Sequence, residues 1–291
     1  MIEICEVGPR DGLQNEKKYL STDQKVEMIT QLIDAGIRKI EAVSFVNPKV
    51  VPQMADAEEV MKQVPKIDGI SYAGLVLNYA GMTRALETSI DTYHVVTAVS
   101  DEFNLRNARK TVDQNVIELL PVIKEATNAQ KVVSAVLGTS FGCPFSGKVS
   151  TSRVLEIADR FANAGANEIT LADTTGLADP LQVTNLVHQF KQHFGEDIKI
   201  GLHFHNTRGL GLANVLAGYQ AGITRFDSSI AGLGGCPFAP KAVGNVCTED
   251  MVNMFEKMSV ETGTDLKKLI ETAKWMQLQM ERPLDGMLMK L

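Results

Sequence analysis

The stretch NAGANEITLADT (163–174) has a form that recurs in DAGIRKIEAVSF (34–45) and QAGITRFDSSIA (220–231). Each ends an amphipathic helix in Ala-Gly, passes through a few connecting residues and enters an apolar or β-branched run. Glycine just past the last helical turn suits the left-handed C-cap position, where a Cβ would be strained. Three such junctions at irregular spacing mark repeated αβ units rather than a solenoid. Extending the pattern outward gives strands near 2–7, 38–44, 71–77, 93–99, 131–138, 168–173, 199–205 and 225–230. Helices are expected between them at Asp23–Ala35, Ala55–Val64, Tyr79–Thr88, Thr111–Asn128, Ser152–Ala164, Leu181–Phe194 and Leu210–Gln220. Ser21 and Thr22 supply N-cap hydroxyls for the first, and Pro180 opens another where its missing N–H costs nothing. Eight strands alternating with helices, uninterrupted by a linker, is the count of a (β/α)8 TIM barrel. An open doubly wound sheet is the alternative, but it wants a glycine-rich phosphate loop after an early strand, and none is present. The chain therefore reads as one domain over 1–291, with the barrel closing by about 262 and an additional C-terminal helix in 263–291 packed outside it.

Composition removes several classes of partner. Of 291 residues, 44% are hydrophobic and 22% charged, ordinary values for a globular chain with a substantial core. The net charge of −6, with no basic stripe, argues against a nucleic-acid surface. No apolar run approaches the roughly 18 residues that suggest a membrane span. The opening MIEICEVGPR lacks the basic start and apolar region of a signal peptide, so a cytoplasmic location is expected. Four cysteines (Cys5, Cys143, Cys236, Cys247) in so long a chain read as reduced thiols and not as a disulfide framework.

Catalytic groups of such barrels lie at the C-terminal ends of the strands, and the polar residues here fall there. Strand one runs into Glu6, Gly8, Pro9, Arg10 and Asp11; strand two carries Glu41 and Ser44; strand six ends in Asp173-Thr174-Thr175-Gly176. Strand seven ends in His203-Phe204-His205-Asn206, and strand eight is followed by GLGGCPFAP (232–240), Gly244, Asn245 and Glu249. His203 and His205, two apart on a strand, share one face, and at the mouth of a barrel that face is the interior, where the pair by itself reads equally as hydrogen-bonded core histidines and as ligands. With Asp11 and Asn245 from neighbouring strand ends they make a mixed nitrogen and oxygen donor set. That set suits Mg²⁺ or Mn²⁺, with Zn²⁺ or Co²⁺ able to substitute. Arg10, held among glycine and proline, can neutralise charge developing on a carbonyl oxygen instead of forming a weak surface ion pair. Asp173 reads equally as a turn-former and as a catalytic carboxylate. Cys236, a solitary cysteine of the kind that usually packs as a small hydrophobe, sits in a glycine-rich loop of the kind that forms lids, where a thiol can also deliver a proton. Cys5, Cys247, His94, His188 and His193 read as packing residues.

EVGPRDGLQNE (6–16), SFVNPKVVPQMAD (44–56), GCPFSGKV (142–149), DTTG (173–176), HFHN (203–206), SIAGLGGCPF (229–238) and GNVCTED (244–250) occur in this order. On these motifs, spread over essentially the whole chain, the sequence resembles the hydroxymethylglutaryl-CoA lyase family. The resemblance implies cleavage of 3-hydroxy-3-methylglutaryl-CoA to acetoacetate and acetyl-CoA in a homodimer. Carried over position by position, it implies that Asp11, His203, His205 and Asn245 hold the cation, and that Arg10 stabilises the enolate of the leaving acetyl-CoA. Cys236 becomes the loop catalytic residue, Asp173 and Glu41 members of the acid–base network, and Glu249 a support of Asn245 or the loop. Arg10, Gln14, Lys17, Ser44, Asn107 and Thr170 are implied in contact with the substrate or its CoA portion. The sequence departs from the family pattern at Asn206, Arg208, Thr170 and the segment SDEFNLRNARK (100–110). These are places where the acyl or CoA group would be read, so a related 3-alkyl-3-hydroxyglutaryl thioester, or the chemistry of a related metal-dependent aldolase or acyl-transferase, is the alternative.

Overall fold

A computed structural model describes residues 1–235 and 244–291 of the chain. Eight strands, β1 (Glu3–Glu6), β2 (Lys39–Ser44), β3 (Ser71–Leu75), β4 (Thr92–Ala98), β5 (Val132–Gly138), β6 (Glu168–Asp173), β7 (Lys199–Phe204) and β8 (Arg225–Ser228), form a closed barrel in sequence order. All neighbours are parallel, and β1 closes on β8 with Glu3 opposite Arg225 and Glu6 opposite Ser228. The surrounding helices are α1 (Thr22–Asp34), α2 (Ala57–Gln63), α3 (Tyr79–Leu86), α4 (Asp101–Ala108), α5 (Val112–Asn128), α6 (Thr151–Ala164), α7 (Pro180–Phe194), α8 (Gly211–Gln220) and α9 (Thr248–Lys257), with α10 (Leu266–Met280) beyond them.

The junction glycines do what the sequence requires of them: Gly36, Gly165 and Gly222 all have positive φ, at +96°, +110° and +87°. The capping box expected at Ser21 is also present, its hydroxyl accepting from the Gln24 amide while the Gln24 side chain accepts from Ser21. Two helices were not foreseen. α4 is polar and buries only Phe103 and Asn104, so it carries no apolar stripe to read. It is held by its Ser100 cap and by Asn104, whose amide donates to the carbonyls of Lys110 and Thr111. α9 buries Met251, Val252 and Phe255, but its first turn lies inside the run GNVCTED that reads as a loop motif.

α10 packs against α1 outside the barrel, as expected. The chain then returns toward the barrel mouth: the amides of Asp285 and Gly286 donate to the Ala231 carbonyl, and Asp250 accepts from Met287 and Leu288. The methionines of this tail are packing residues, with Met276, Met280 and Met289 buried.

Strand alternation sorts the core into two regions. Leu202 and Phe226 point outward to α8, where they reach Gly218, while Phe226 also stacks 5.9 Å from Phe255 of α9. The inward positions at the barrel floor are ionic. Arg225, 1% exposed, reaches Asp227 at 2.7 Å and Glu168 at 3.1 Å, and Lys39 meets Glu168 at 3.1 Å. Burial pushes the Glu168 carboxyl up, but Arg225, Lys39 and the Ser134 hydroxyl overcome it and hold it down at about 2.

Candidate active site

After β1 the chain makes a single π turn, Gly8–Gly12, in which the Asp11 and Gly12 amides both donate to the Val7 carbonyl, at 2.7 and 3.2 Å. Such widened turns recur at functional sites because they re-aim one side chain. The fully buried Glu6 anchors this one. It accepts from the Gly8 amide at 2.8 Å, from Ile230 at 2.9 Å and from the Thr248 hydroxyl, tying β1 to the segment after β8 and to α9. The turn sets Arg10 and Asp11 at the mouth, where the guanidinium reaches Asp11 Oδ1 at 2.8 Å and Glu41 Oε2 at 2.6 Å. Its Nε is buried and has no hydrogen-bond partner among the described residues.

His203 and His205 close the site from β7, their ring centroids 5.2 Å apart. Asn245 is brought alongside because the chain after the loop runs antiparallel to the end of β7. Val246 donates to the Phe204 carbonyl and Asn206 to that of Gly244, which bridges His205 to Asn245. Donor atoms of Asp11, His203 and His205 all lie within 4.8 Å of one another. Asn245 donates from Nδ2 to Asp11 Oδ2 at 2.9 Å and to the Leu233 carbonyl at 3.1 Å, and these two acceptors fix the amide orientation. Its Oδ1 is left buried and unpartnered among the described residues, as is His205 Nδ1. Native interiors rarely leave such atoms without a partner, and a hard divalent cation would satisfy them. The backbone must pass close here: a Cβ on Gly234, whose φ is +111°, would lie 2.6 Å from Asn245 Nδ2.

The electrostatics suit the same use. Burial pushes the Asp11 carboxyl up, yet Arg10, both imidazoles and the Asn245 hydrogen bond bring it below its usual range. Burial first, and then the neighbouring His203, lower His205 to about 4, which keeps it neutral with a lone pair to offer. His203 is also lowered by burial, but the Asp227 hydrogen bond and charge outweigh that and raise it.

The other expected residues divide. Glu41 joins the group through Arg10. Asp173 is fully buried at the end of β6, with both oxygens taken by loop amides, Leu177 at 2.7 Å and Ala178 at 3.0 Å. Ser44 is buried at the end of β2 and accepts from the Val46 amide. Gln14 follows the π turn with its Oε1 buried and unpartnered among the described residues. Lys17 is exposed on a cavity of about 380 Å³ shared with Asn15, Lys18, Gly234, Gly235 and Arg282. Asn107 is exposed on α4. Glu249, in the first turn of α9, accepts from the Ala231 amide at 3.0 Å and so braces the segment after β8; burial pushes its carboxyl up to about 8.

Thr170 is not brought to this group. Three residues short of the strand end and facing inward with Glu168, its hydroxyl accepts from Arg225 at 3.1 Å, in the ionic layer beneath the mouth. Asn206 Oδ1 accepts from the Gly211 amide at the start of α8, and Arg208 donates to the carbonyls of Thr175 and Gly176, so both secure loops. Cys236 lies outside the described residues.

Two residues were missed. Asp227 sits opposite His203 in the β7–β8 register and is 3.1 Å from its Nδ1, which leaves Nε2 for the site. A charged pair two apart, Arg225 and Asp227, in a short apolar strand was the available signal. His94, read as packing, contacts Glu41 at 2.9 Å. Carboxylates behind ligating histidines fix the tautomer and the ring orientation. Asp227→Asn is therefore expected to weaken Mn²⁺ binding roughly 10- to 100-fold by calorimetry. An unchanged dissociation constant would remove Asp227 from the site.

The architecture is that of barrel enzymes whose strand ends converge a cation-competent donor set beside a guanidinium. Residues 1–276 match the HMGL-like family, and the chain belongs to it. It is 41% identical to hydroxymethylglutaryl-CoA lyase of Bacillus subtilis, over 97% of this chain and 94% of that protein. It is 39% identical to (R)-citramalyl-CoA lyase of Chloroflexus aurantiacus, over 99% of this chain and 94% of the other. A solved HMG-CoA lyase of Acinetobacter baumannii, in complex with coenzyme A and 3-methylmalate, superposes with a TM-score of 0.95 at 40% identity, covering 100% of this chain and 94% of that one. The chain is thus an enzyme, a carbon–carbon lyase. Among the described residues no helix is long and apolar enough to cross a membrane.

Proposed function

We propose that the protein cleaves 3-hydroxy-3-methylglutaryl-CoA to acetoacetate and acetyl-CoA, with Mg²⁺ or Mn²⁺ held by Asp11, His203, His205 and Asn245. The observation that carries this reading is the donor cluster within 4.8 Å, set beside a guanidinium whose buried Nε–H has no partner among the described residues. The reaction needs both. The proton of the tertiary hydroxyl must leave, the C2–C3 bond breaks, a ketone forms at C3, and the electron pair moves onto the thioester oxygen before C2 takes up a proton. When bound, a divalent cation supplies the Lewis acidity that makes an aliphatic hydroxyl acidic enough near neutral pH. Arg10 then stabilises the charge arriving on the thioester oxygen, through donors already oriented by Glu41 and Asp11. Glu41 and the buried Asp173 belong to the surrounding acid–base and hydrogen-bond network. Cys236, by the family resemblance, is the donor that protonates C2. Gln14, Lys17, Ser44, Asn107 and Thr170 are assigned to the substrate and its CoA portion, Thr170 from beneath the mouth, where its hydroxyl accepts from Arg225. A cytoplasmic homodimer completes the proposal.

Acetyl-CoA release from the thioester is expected to stop on treatment with EDTA and to return with Mg²⁺ or Mn²⁺. Release insensitive to chelation would overturn the ligand assignment. A second reading has its own support, since one relative of nearly equal identity is named (R)-citramalyl-CoA lyase. Citramalyl-CoA keeps the tertiary alcohol β to the thioester, so the same residues would serve it. Turnover of both thioesters, measured side by side, decides between them.

A further inference from the structure

Behind Arg10 the barrel interior holds a polar contact that the lyase chemistry does not call for directly. His94 lies on the inward face of β4 at 2% exposure, with Nδ1 2.9 Å from Glu41 Oε1. The other oxygen of Glu41 is 2.6 Å from Arg10 Nη2, so one fully buried carboxylate is gripped between an imidazole and the guanidinium. A carboxylate paired to a guanidinium accepts, which puts the proton of the histidine contact on Nδ1. Nε2 is then a buried acceptor, and it has no partner among the described residues. Packing alone would favour an apolar strand residue, which leaves no polar atom unsatisfied. The imidazole is explained by its Nδ1 contact.

The contact matters because Arg10 is pulled two ways. Its Nη1 is 2.8 Å from Asp11 Oδ1, and among the described residues only Glu41 draws the other side of the guanidinium away. Were Glu41 to turn, the guanidinium would swing toward Asp11 and lose its aim, weakening the charge available to the substrate. Resting on the lyase reading above, we propose that His94 is a positioning residue. By donating from Nδ1 to Glu41 it fixes the carboxylate that aims Arg10 at the reacting thioester oxygen.

The test is a double-mutant cycle on the metal-loaded enzyme with 3-hydroxy-3-methylglutaryl-CoA. His94→Val removes the donor, whereas His94→Asn puts an amide N–H where Nδ1 was. Each is made alone and with Glu41→Gln, and kcat, KM and the Mn²⁺ dissociation constant are measured. His94→Val is expected to lower kcat about 10- to 100-fold, with KM and Mn²⁺ affinity within about threefold of wild type. His94→Asn should recover most of that loss. In the Glu41→Gln background His94→Val should add less than about twofold, because its effect passes through Glu41. Equal losses in both backgrounds, or wild-type kcat in His94→Val, would overturn the proposal, as would a loss carried by KM or by metal affinity. Should His94→Val fail to fold, His94→Gln takes its place. Its amide reaches the Nε2 position instead, so it should be impaired where His94→Asn is active, and equal activity of the two sinks the idea. Absence of turnover in the wild-type protein would instead count against the lyase reading itself.

Discussion

Arg10→Gln is expected to lower kcat by about two to four decades while leaving KM within a few-fold of wild type. The guanidinium already spends two of its nitrogens on Asp11 and Glu41, so the ground-state complex gains little from it. In the proposed reaction its charge is needed when the electron pair reaches the thioester oxygen, in a site where burial magnifies each interaction. Glutamine keeps a hydrogen-bond donor and similar reach, but it loses the charge and the planar fork that spans both carboxylates. Steady-state kinetics with saturating Mn²⁺ checks this. A variant with unaltered kcat would show that charge stabilisation lies elsewhere, and one whose defect is confined to KM would make Arg10 a binding residue. Burial opposes the charge on Arg10, but the neighbouring Glu41 and Asp11 outweigh it and raise its pKa, so protonation is not the variable being tested.

The second large effect concerns stability. Arg225→Ala is expected to cost about 3–5 kcal/mol of unfolding free energy in denaturant titrations, because it takes the guanidinium from two buried carboxylates, leaving Glu168 with Lys39 and Asp227 with His203. Replacing all three charges together, as Arg225→Met with Asp227→Asn and Glu168→Gln, should restore much of that loss. A single mutant within about 1 kcal/mol of wild type would mean that the interior charges are relieved in another way. The same pairing predicts a response to acid. Glu168 is held at about 2 against an ordinary 4.5. Its stabilisation is therefore complete above about 4.5 and is lost as the pH falls toward 2. Asp227, lowered further by Arg225 and His203 against the upward push of burial, acts in the same direction. Unfolding free energy should thus decline through this window in the wild-type protein and decline less in the neutralised triple variant.

Much of the barrel was legible because its signals are local. β6 was expected over 168–173 and occupies Glu168–Asp173, since the Ala-Gly cap before it and the DTTG turn after it bracket the strand chemically. α4 escaped because a helix that buries only Phe103 and Asn104 leaves no period in the sequence. The pairing of His203 with His205 was readable from strand alternation alone. The addition of Asp11 and Asn245 rested on ring closure, which the contact between β1 and β8 provides. Thr170 shows the limit: one strand carries both mouth and floor residues, and only depth along the barrel reveals that its hydroxyl meets Arg225.

Sequence by itself therefore determined the αβ repeat, the number of strands and the ends at which chemistry gathers. These follow from caps, periodicity and alternation, which act over a few residues. Only the tertiary structure decided which side chains face one another: Asp227 behind His203, His94 behind Glu41, and Arg208 against the loop after β6. Those contacts join residues tens of positions apart, and their partners are chosen by strand register and by the need to satisfy every buried charge. No local pattern encodes either.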